Sequence, residues 1–251
     1  MSATLLDIAD GVARLMLNRP ERHNSLVPAL LDSLNADLER IAGNHNIRAL
    51  VLQAAGRSFS TGGDVAGFHA VPRGERRAYA EGLVGSLNRA ILALLRLPVP
   101  VIGRIHGPLT GGSLGLLLAC DLAAITPQAF IQPYYAQVGF SPDGGWTAML
   151  PARIGAQRAR EIQLLNQRVS AQEALQLGLV TACVEAGALD VTIEGWLEKL
   201  KSMQPASIAS TKALLAADYA PGLEAELRNF LDLIDREDTE AGMTRFLNRG
   251  T

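Results

Sequence analysis

Two glycine pairs in the chain offer backbone groups that can stabilise a developing negative charge. Gly111 and Gly112 open an apolar, helix-like run, and Gly62 and Gly63 follow a strand-like apolar run. Without a Cβ, such loops let a ligand approach the N–H groups closely, and the first turn of a helix adds its dipole. The pattern is typical of a two-donor oxyanion hole, to which Gly63 and Gly112 would each contribute one N–H. Two ordinary strand-to-helix turns are the alternative.

One carboxylate, Asp143, lies in a segment suited to proton transfer. It stands in the run SPDGG, and nearby residues could wall an apolar pocket around it: Tyr134, Tyr135, Phe140 and Trp146. Desolvation in such a pocket raises the pKa of an aspartate from about 3.9 toward the range useful for general acid–base catalysis. The residues alone leave a second interpretation open, in which Asp143 only caps a helix that begins directly after it.

Composition limits the classes of protein to which the chain can belong. With 251 residues and a net charge of −2, it lacks the basic footprint of a protein that binds nucleic acid or an anionic membrane. Asp7 and Asp10 interrupt any apolar run at the N-terminus, so we expect no signal peptide. Cys120 and Cys183 suit a reducing compartment, and no Cys/His spacing predicts a metal site. We therefore expect a cytoplasmic protein without metal, nucleic-acid or membrane partners.

The elements that must hold these groups alternate between strands and helices. The apolar patterns predict a hairpin at 5–8 and 12–17, helices at 28–42 and 79–97, and strands at 49–53, 99–104 and 122–126. From residue 188 onward the patterns predict only helices, at 189–203, 205–218 and 223–236. This alternation favours an α/β fold with crossover connections, followed by a helical segment that has no strand partner.

Taken together, the order and spacing of several segments resemble the crotonase, or enoyl-CoA hydratase/isomerase, superfamily. The segments are LNRPERHNSL at 17–26, SF…GGD at 58–64, GG…CD at 111–121, GFSPDGG at 139–145, LPARIG at 150–155, AQEAL…GLV at 171–180 and D…EAG…F at 238–246. The resemblance implies a spiral of repeated ββα units over 1–190 and a C-terminal helical extension over 191–251 that helps to build trimers or hexamers. It also implies an acyl-CoA thioester substrate, with coenzyme A as part of that substrate and no separate cofactor.

The resemblance further implies which reaction the side chains support. Hydratases of the family carry two glutamates, at positions that fall here on Gly115 and on or next to Tyr134. Δ3,Δ2-enoyl-CoA isomerases of the family carry their acid/base glutamate at the position of Asp143. Relatives acting on ring-epoxidised phenylacetyl-CoA and chlorobenzoyl-CoA dehalogenases carry an aspartate there. We therefore expect isomerisation of 3-enoyl-CoA to 2-enoyl-CoA, with Asp143 as the single acid/base and Gly63 and Gly112 as the oxyanion hole.

Residues expected to bind coenzyme A follow from the same resemblance. Arg22 and His23 match a family region near the CoA phosphates, and Lys212 matches a commonly basic position in the C-terminal part. Solvated surface residues are the alternative at all three positions. Other activities also stay open: a ring-modifying isomerase or hydrolase of aromatic or alicyclic CoA thioesters, a 2-enoyl-CoA hydratase, or a member that binds acyl-CoA without turnover. Dehalogenation is disfavoured because the predicted helix at 79–97 lacks the histidine of those relatives.

Overall fold

The computed structural model of the protein describes residues 2–248, and its strands form two sheets. The strands are β1 (Thr4–Ala9), β2 (Val12–Leu17), β3 (Ala49–Ala54), β4 (Val101–Ile105), β5 (Leu109–Thr110), β6 (Leu122–Ile125), β7 (Phe130–Gln132), β8 (Val169–Ser170) and β9 (Ala182–Cys183). The larger sheet has the order β1-β2-β3-β4-β6-β9, with β1 and β2 antiparallel and all other neighbours parallel. The smaller sheet has the order β5-β7-β8.

Helices connect the parallel strands and continue to the end of the described chain. They are α1 (Pro28–Ala42), α2 (Val65–Ala70), α3 (Arg76–Arg96), α4 (Leu114–Leu118), α5 (Tyr135–Val138), α6 (Leu150–Ile154), α7 (Ala156–Leu164), α8 (Ala171–Gln176), α9 (Ala186–Lys201), α10 (Pro205–Leu215), α11 (Ala220–Leu233) and α12 (Glu237–Asn248). Parallel neighbours need crossover connections, which α1 supplies between β2 and β3, and α2 and α3 between β3 and β4. The alternation expected from the sequence is confirmed, with element ends that shift by a few residues.

The two faces of the larger sheet are covered by different helical layers. Leu50 and Leu52 of β3 point into the main core, which also contains buried residues of α1 and α3. Val51, between them, belongs to a second cluster on the opposite face, with residues of α9. Because successive side chains of a strand alternate between faces, one apolar strand contributes buried side chains to both layers.

Helix α9 runs across the position at which the sequence suggested that a helical extension begins. Leu189, Ile193 and Leu197, spaced four residues apart, form the face of α9 that packs on the larger sheet. Helix α11 packs along α3, and α12 packs against α2 and α5. The division of the chain between residues 190 and 191 stays a prediction. Helix α9 spans this position and packs on one face of the larger sheet, whereas α11 and α12 pack on the main core.

Helix α10 is the exception among these C-terminal helices. It has no buried residue within this chain, and its Leu214 and Leu215 side chains are exposed. An exposed apolar helix of this kind is compatible with self-association. The trimer or hexamer implied by the family resemblance stays a prediction. Across residues 2–248, no helix has both the length and the apolar character needed to cross a membrane.

Candidate active site

The two glycine loops are packed directly on each other. Thr110 N–H donates a hydrogen bond to Ser60 O at 3.0 Å, which joins the loop after β3 to the end of β5. Gly62 has a φ of +75°, and a Cβ at this position would lie 2.6 Å from Thr110 O. Glycine is therefore required at position 62 both for its left-handed backbone and for the close approach of the second loop.

Both predicted oxyanion donors border one cavity, and both are unpaired. Within residues 2–248, neither Gly63 N–H nor Gly112 N–H has a hydrogen-bond acceptor. The flanking groups are paired, since Gly62 N–H donates to Ser60 Oγ at 3.3 Å and Asp64 N–H donates to Leu26 O at 3.2 Å. Two unpaired N–H groups at the wall of one cavity are the donors that an oxyanion hole requires.

The cavity has a volume of about 780 Å³ and brings together most of the predicted site residues. Those that line it are Arg22, His23, Gly63, Gly112, Tyr134, Tyr135, Phe140 and Asp143. A volume of this size is ordinary for a small-molecule site, and the walls are mostly apolar with a few polar groups. The sequence segments that carry these residues come from every part of the chain up to residue 143, and only the fold makes them neighbours.

Asp143 is a buried carboxylate beside the Gly112 donor. A Cβ at Gly112 would lie 2.7 Å from Asp143 Oδ1, so only glycine lets the carboxylate come this close. Tyr135 Oη donates a hydrogen bond to the same Oδ1. Burial is the main cause that raises the pKa of Asp143 from 3.8 to about 7, while the Tyr135 hydrogen bond lowers it and the charge of Glu226 raises it. An aspartate with this pKa can both accept and return a proton near neutral pH.

The interpretation of Asp143 as a helix cap is wrong. Residues 144–149 form turns, and the next helix, α6, begins only at Leu150. Gly144 and Gly145 have φ values of +62° and +85°, which are incompatible with a right-handed helix. The Asp143 carboxylate instead accepts its hydrogen bond from Tyr135.

Trp146 and Lys212 lie outside the lining of the cavity in this chain. Trp146 is buried, and its Nε1–H donates to Gly111 O at 2.7 Å, so it supports the glycine loop from behind rather than facing a substrate. Lys212 Nζ donates to Asp121 Oδ2 at 2.7 Å and to Val99 O at 3.1 Å. These bonds tie α10 to the core and give Lys212 a structural role in this chain, and Asp121 also accepts a hydrogen bond from Val101 N–H at 2.7 Å.

At the first hydratase position, Gly115, the structure has no room for a side chain. A Cβ there would lie 2.6 Å from Gly144 O and would also collide with the Ile91 side chain. At the second position, Tyr134 adopts a φ of +64°, and its N–H donates to Asn166 Oδ1 at 2.8 Å. Neither position presents a carboxylate to the cavity.

Several lining residues were not foreseen from the sequence. Phe230 of α11, and Phe246 and Leu247 of α12, line the cavity, and Phe68 of α2 packs against both Phe140 and Phe230. In the sequence they look like ordinary apolar positions of amphipathic helices. Only the packing of α11 and α12 onto the core distinguishes them from other core residues.

Arg22, His23 and Arg57 line the cavity together with the carboxylates of Glu21 and Asp64. Arg57 Nη2 lies 2.9 Å from His23 Nε2, and His23 Nδ1 lies 3.1 Å from Ser58 Oγ. Arg22 is more than half exposed and lies 3.9 Å from Asp64, which also lines the cavity. Arg57 was not singled out in the sequence, because its neighbourhood with His23 arises from the contact between two loops. Within residues 2–248, no group of His, Cys, Asp and Glu residues is arranged to hold a metal ion.

Comparison with known proteins assigns the chain to a family. The family model described as enoyl-CoA hydratase/isomerase matches residues 7–251. The chain belongs to the enoyl-CoA hydratase/isomerase family. Among solved structures, an enoyl-CoA hydratase from Mycobacterium avium subsp. paratuberculosis K-10 superposes with a TM-score of 0.87 at 28% identity, covering 97% of this chain and 98% of that one. The expected crotonase fold is thereby confirmed.

Relatives of this family member differ in the activities for which they are named. A Mycobacterium leprae protein named probable enoyl-CoA hydratase echA12 is 40% identical over 174 residues, which is 68% of this chain and 59% of the relative. The 4-chlorobenzoyl coenzyme A dehalogenase-2 of an Arthrobacter species is 34% identical, over 68% of this chain and 62% of the relative. This chain thus matches about three fifths of the length of either protein. A monofunctional enoyl-CoA isomerase from M. smegmatis superposes with a TM-score of 0.72 at 31% identity, covering 89% of this chain and 95% of that one.

Proposed function

We propose that the protein isomerises 3-enoyl-CoA thioesters to the conjugated 2-enoyl-CoA, with Asp143 as its single acid/base. The observation that carries this proposal is one buried carboxylate, with a pKa raised to about 7, adjoining an unpaired backbone donor at Gly112. A 1,3-shift of a proton requires only one group that accepts and then returns it. The family supplies the substrate class, and the monofunctional isomerase among the structural neighbours has the activity proposed here.

In the proposed reaction, the N–H groups of Gly63 and Gly112 donate hydrogen bonds to the thioester oxygen. The ionised Asp143 carboxylate removes a proton from C2, and the electron pair of that C–H bond moves into a dienolate whose negative oxygen lies in the hole. Asp143, now protonated, returns the proton to C4, and the double bond moves between C2 and C3. Each donor of an oxyanion hole contributes about 10²–10³-fold in rate.

Hydration of a 2-enoyl-CoA requires more than this site offers. One group must deprotonate water while a proton is delivered to the α-carbon. The position of one hydratase glutamate is Gly115, where Ile91 and Gly144 fill the space of a side chain. Tyr134, at or next to the second position, carries a phenol in place of a carboxylate.

The test compares turnover of 3-enoyl-CoA and 2-enoyl-CoA by the wild-type protein, Asp143→Asn and Asp64→Asn. Asp64 is a matched control because its carboxylate also lines the cavity. Conjugation of the 3-enoyl substrate should be lost in Asp143→Asn and retained in Asp64→Asn. Hydration of the 2-enoyl substrate that survives Asp143→Asn would refute the proposal. Binding of acyl-CoA without turnover of any thioester would instead identify a non-catalytic member.

A ring-modifying reaction is the second candidate, and the aromatic wall of the cavity favours it. Phe140 and Phe230 have ring centroids 5.0 Å apart, and Tyr134 packs edge-on against Phe246 with centroids 5.8 Å apart. Such a wall suits a planar or alicyclic acyl group through edge-to-face contacts. Turnover of cyclic CoA thioesters alongside linear 3-enoyl-CoA would decide between the two. Arg22, His23 and Arg57, which line the cavity, would bind the CoA phosphates in either case.

A further inference from the structure

We propose that Glu226 is a positioning residue for Asp143 and acts through the turn that directly follows Asp143. Glu226 lies on α11, 81 residues beyond Gly145 in the sequence, and is only 4% exposed. The inference rests on the proposed function, in which Asp143 is the acid/base group. It adds a residue that never touches the substrate but fixes the direction in which the acid/base carboxylate points.

The Glu226 carboxylate accepts four hydrogen bonds from this one turn. Its Oε2 accepts from Gly145 N–H at 2.8 Å. Its Oε1 accepts from Thr147 N–H at 2.6 Å, from Thr147 Oγ1–H at 2.7 Å and from Ala148 N–H at 2.9 Å. The turn at 145–148 belongs to no helix or strand that would pair these N–H groups otherwise. A carboxylate on a distant helix therefore closes the turn, and hydrogen bonds to a charged acceptor are stronger than neutral ones.

The turn needs such an external support because its backbone is permissive. Gly144 and Gly145 both have positive φ values, and glycine leaves the chain free to adopt other conformations. The turn also packs on the glycine loop, since a Cβ at Gly144 would collide with the Gly112 carbonyl. A displaced turn would consequently move the Asp143 carboxylate relative to the Gly112 donor, and misplacement by about 1 Å can cost about 10²-fold in rate.

Glu226 also influences Asp143 through its charge. Burial is the largest cause of the raised pKa of Asp143, and the negative charge of Glu226 raises that pKa further, against the opposing effect of the Tyr135 hydrogen bond. The position and the charge of Glu226 are thus separable. Removing the Thr147 hydroxyl takes away one of the four hydrogen bonds that position the Glu226 carboxylate and leaves the charge of Glu226 in place.

The experiment uses the full-length protein in three variants. Glu226→Gln removes the charge and reverses the polarity of the group that faces Gly145 N–H. Thr147→Val removes one donor and keeps the charge. Glu224→Gln is the matched control, because Glu224 lies on the same helix in an exposed pair with Arg228 at 2.7 Å. The titration of the Asp143 carboxyl is followed by NMR with carboxyl-¹³C-labelled aspartate, and Asp143→Asn assigns the signal. Isomerase kcat and the Kd of a saturated acyl-CoA are measured in parallel.

In Glu226→Gln we expect the Asp143 pKa to fall and kcat to fall about 10²-fold, with the Kd of the saturated acyl-CoA unchanged. Thr147→Val should lower kcat by a smaller factor and leave the Asp143 pKa in place, and Glu224→Gln should change neither. An Asp143 pKa and a kcat that both stay at the wild-type values in Glu226→Gln would overturn the inference. An equal loss of kcat in Glu224→Gln would overturn it as well.

Two further outcomes keep this test separate from folding defects and from the proposed reaction. If circular dichroism shows that Glu226→Gln does not fold, Thr147→Val decides, and an unchanged kcat in that variant refutes the positioning role. If no variant or wild-type protein isomerises 3-enoyl-CoA, the NMR titration still reports on Glu226. A lowered Asp143 pKa in Glu226→Gln would then support the effect of the Glu226 charge on Asp143 and refute only the proposed reaction.

Discussion

The raised pKa of Asp143 means that this carboxyl group destabilises the folded protein at neutral and alkaline pH relative to acidic pH. Its pKa is 3.8 without the protein environment and about 7 in the folded protein. The folded state therefore holds a proton that the unfolded state releases between these two values. The stabilisation is complete below pH 3.8 and is lost as the pH rises through about 7. At about 1.4 kcal/mol per pKa unit, the whole loss is about 4 kcal/mol.

Asp143→Asn removes this dependence of folding stability on pH, because an amide does not titrate. About 3 kcal/mol of the loss falls between pH 5 and pH 8, since roughly two of the pKa units lie in that interval. In a protein of this size, a difference of about 3 kcal/mol shifts the Tm by roughly 6–12 °C. We therefore expect the difference in Tm, Asp143→Asn minus wild type, to be larger at pH 8 than at pH 5 by roughly 6–12 °C.

The assay is reversible thermal unfolding, followed by far-UV circular dichroism at the two pH values. Asp32→Asn is the control, because Asp32 is an exposed aspartate on α1 and undergoes the same chemical change. Its Tm difference from wild type should be the same at pH 5 and at pH 8. A Tm difference for Asp143→Asn that is equal at both pH values, or larger at pH 5, would refute the assignment of a buried, raised-pKa carboxylate to this site.

Three further predictions follow from the same geometry. The kcat/KM for 3-enoyl-CoA should rise with pH through about 7 and then level off, because the base must be ionised, and a flat profile would exclude Asp143 as the base. Gly112→Ala should lower kcat about 10²-fold while the protein stays folded, because the added methyl group displaces the Asp143 carboxylate from the Gly112 N–H. Gly74→Ala, where nothing lies within 4 Å, should keep wild-type activity. Trp146→Phe should lower the free energy of unfolding by about 1–3 kcal/mol, because Gly111 O loses its bond from the indole; an unchanged denaturant midpoint would contradict this.

Much of the candidate site could be identified before the fold was known, because its chemistry rests on local sequence features. Paired glycines mark loops in which N–H groups are accessible, and Asp143 stands in a short glycine-rich segment between aromatic residues. Period-2 and period-3.6 patterns placed the strands and helices around them. Trp146 shows the limit of such reasoning, because a nearby aromatic residue supports the loop from behind instead of lining the cavity.

What the sequence could not supply are contacts between segments that are far apart in the chain. Glu226 pairs with a turn 81 residues away, and nothing in the pattern of an amphipathic helix marks this glutamate as different from its exposed neighbour Glu224. The aromatic residues that α11 and α12 add to the cavity wall likewise reach it only through contacts between distant segments. Lys212 likewise looked like a surface lysine or a ligand-binding one, and only its contacts with Asp121 and Val99 O show a structural role.

The family resemblance implied that both hydratase glutamates are lost. The amino-acid sequence by itself determined the α/β class, the two glycine loops and the presence of a carboxylate at position 143. These depend on residue type, periodicity and local backbone preference, which are fixed within short segments. The tertiary structure decided that Asp143 is buried against Gly112, that its pKa is raised to about 7, and that α11 and α12 complete the cavity. Burial, desolvation and charge at a site are set by residues brought together from the whole chain, so only the folded protein defines them.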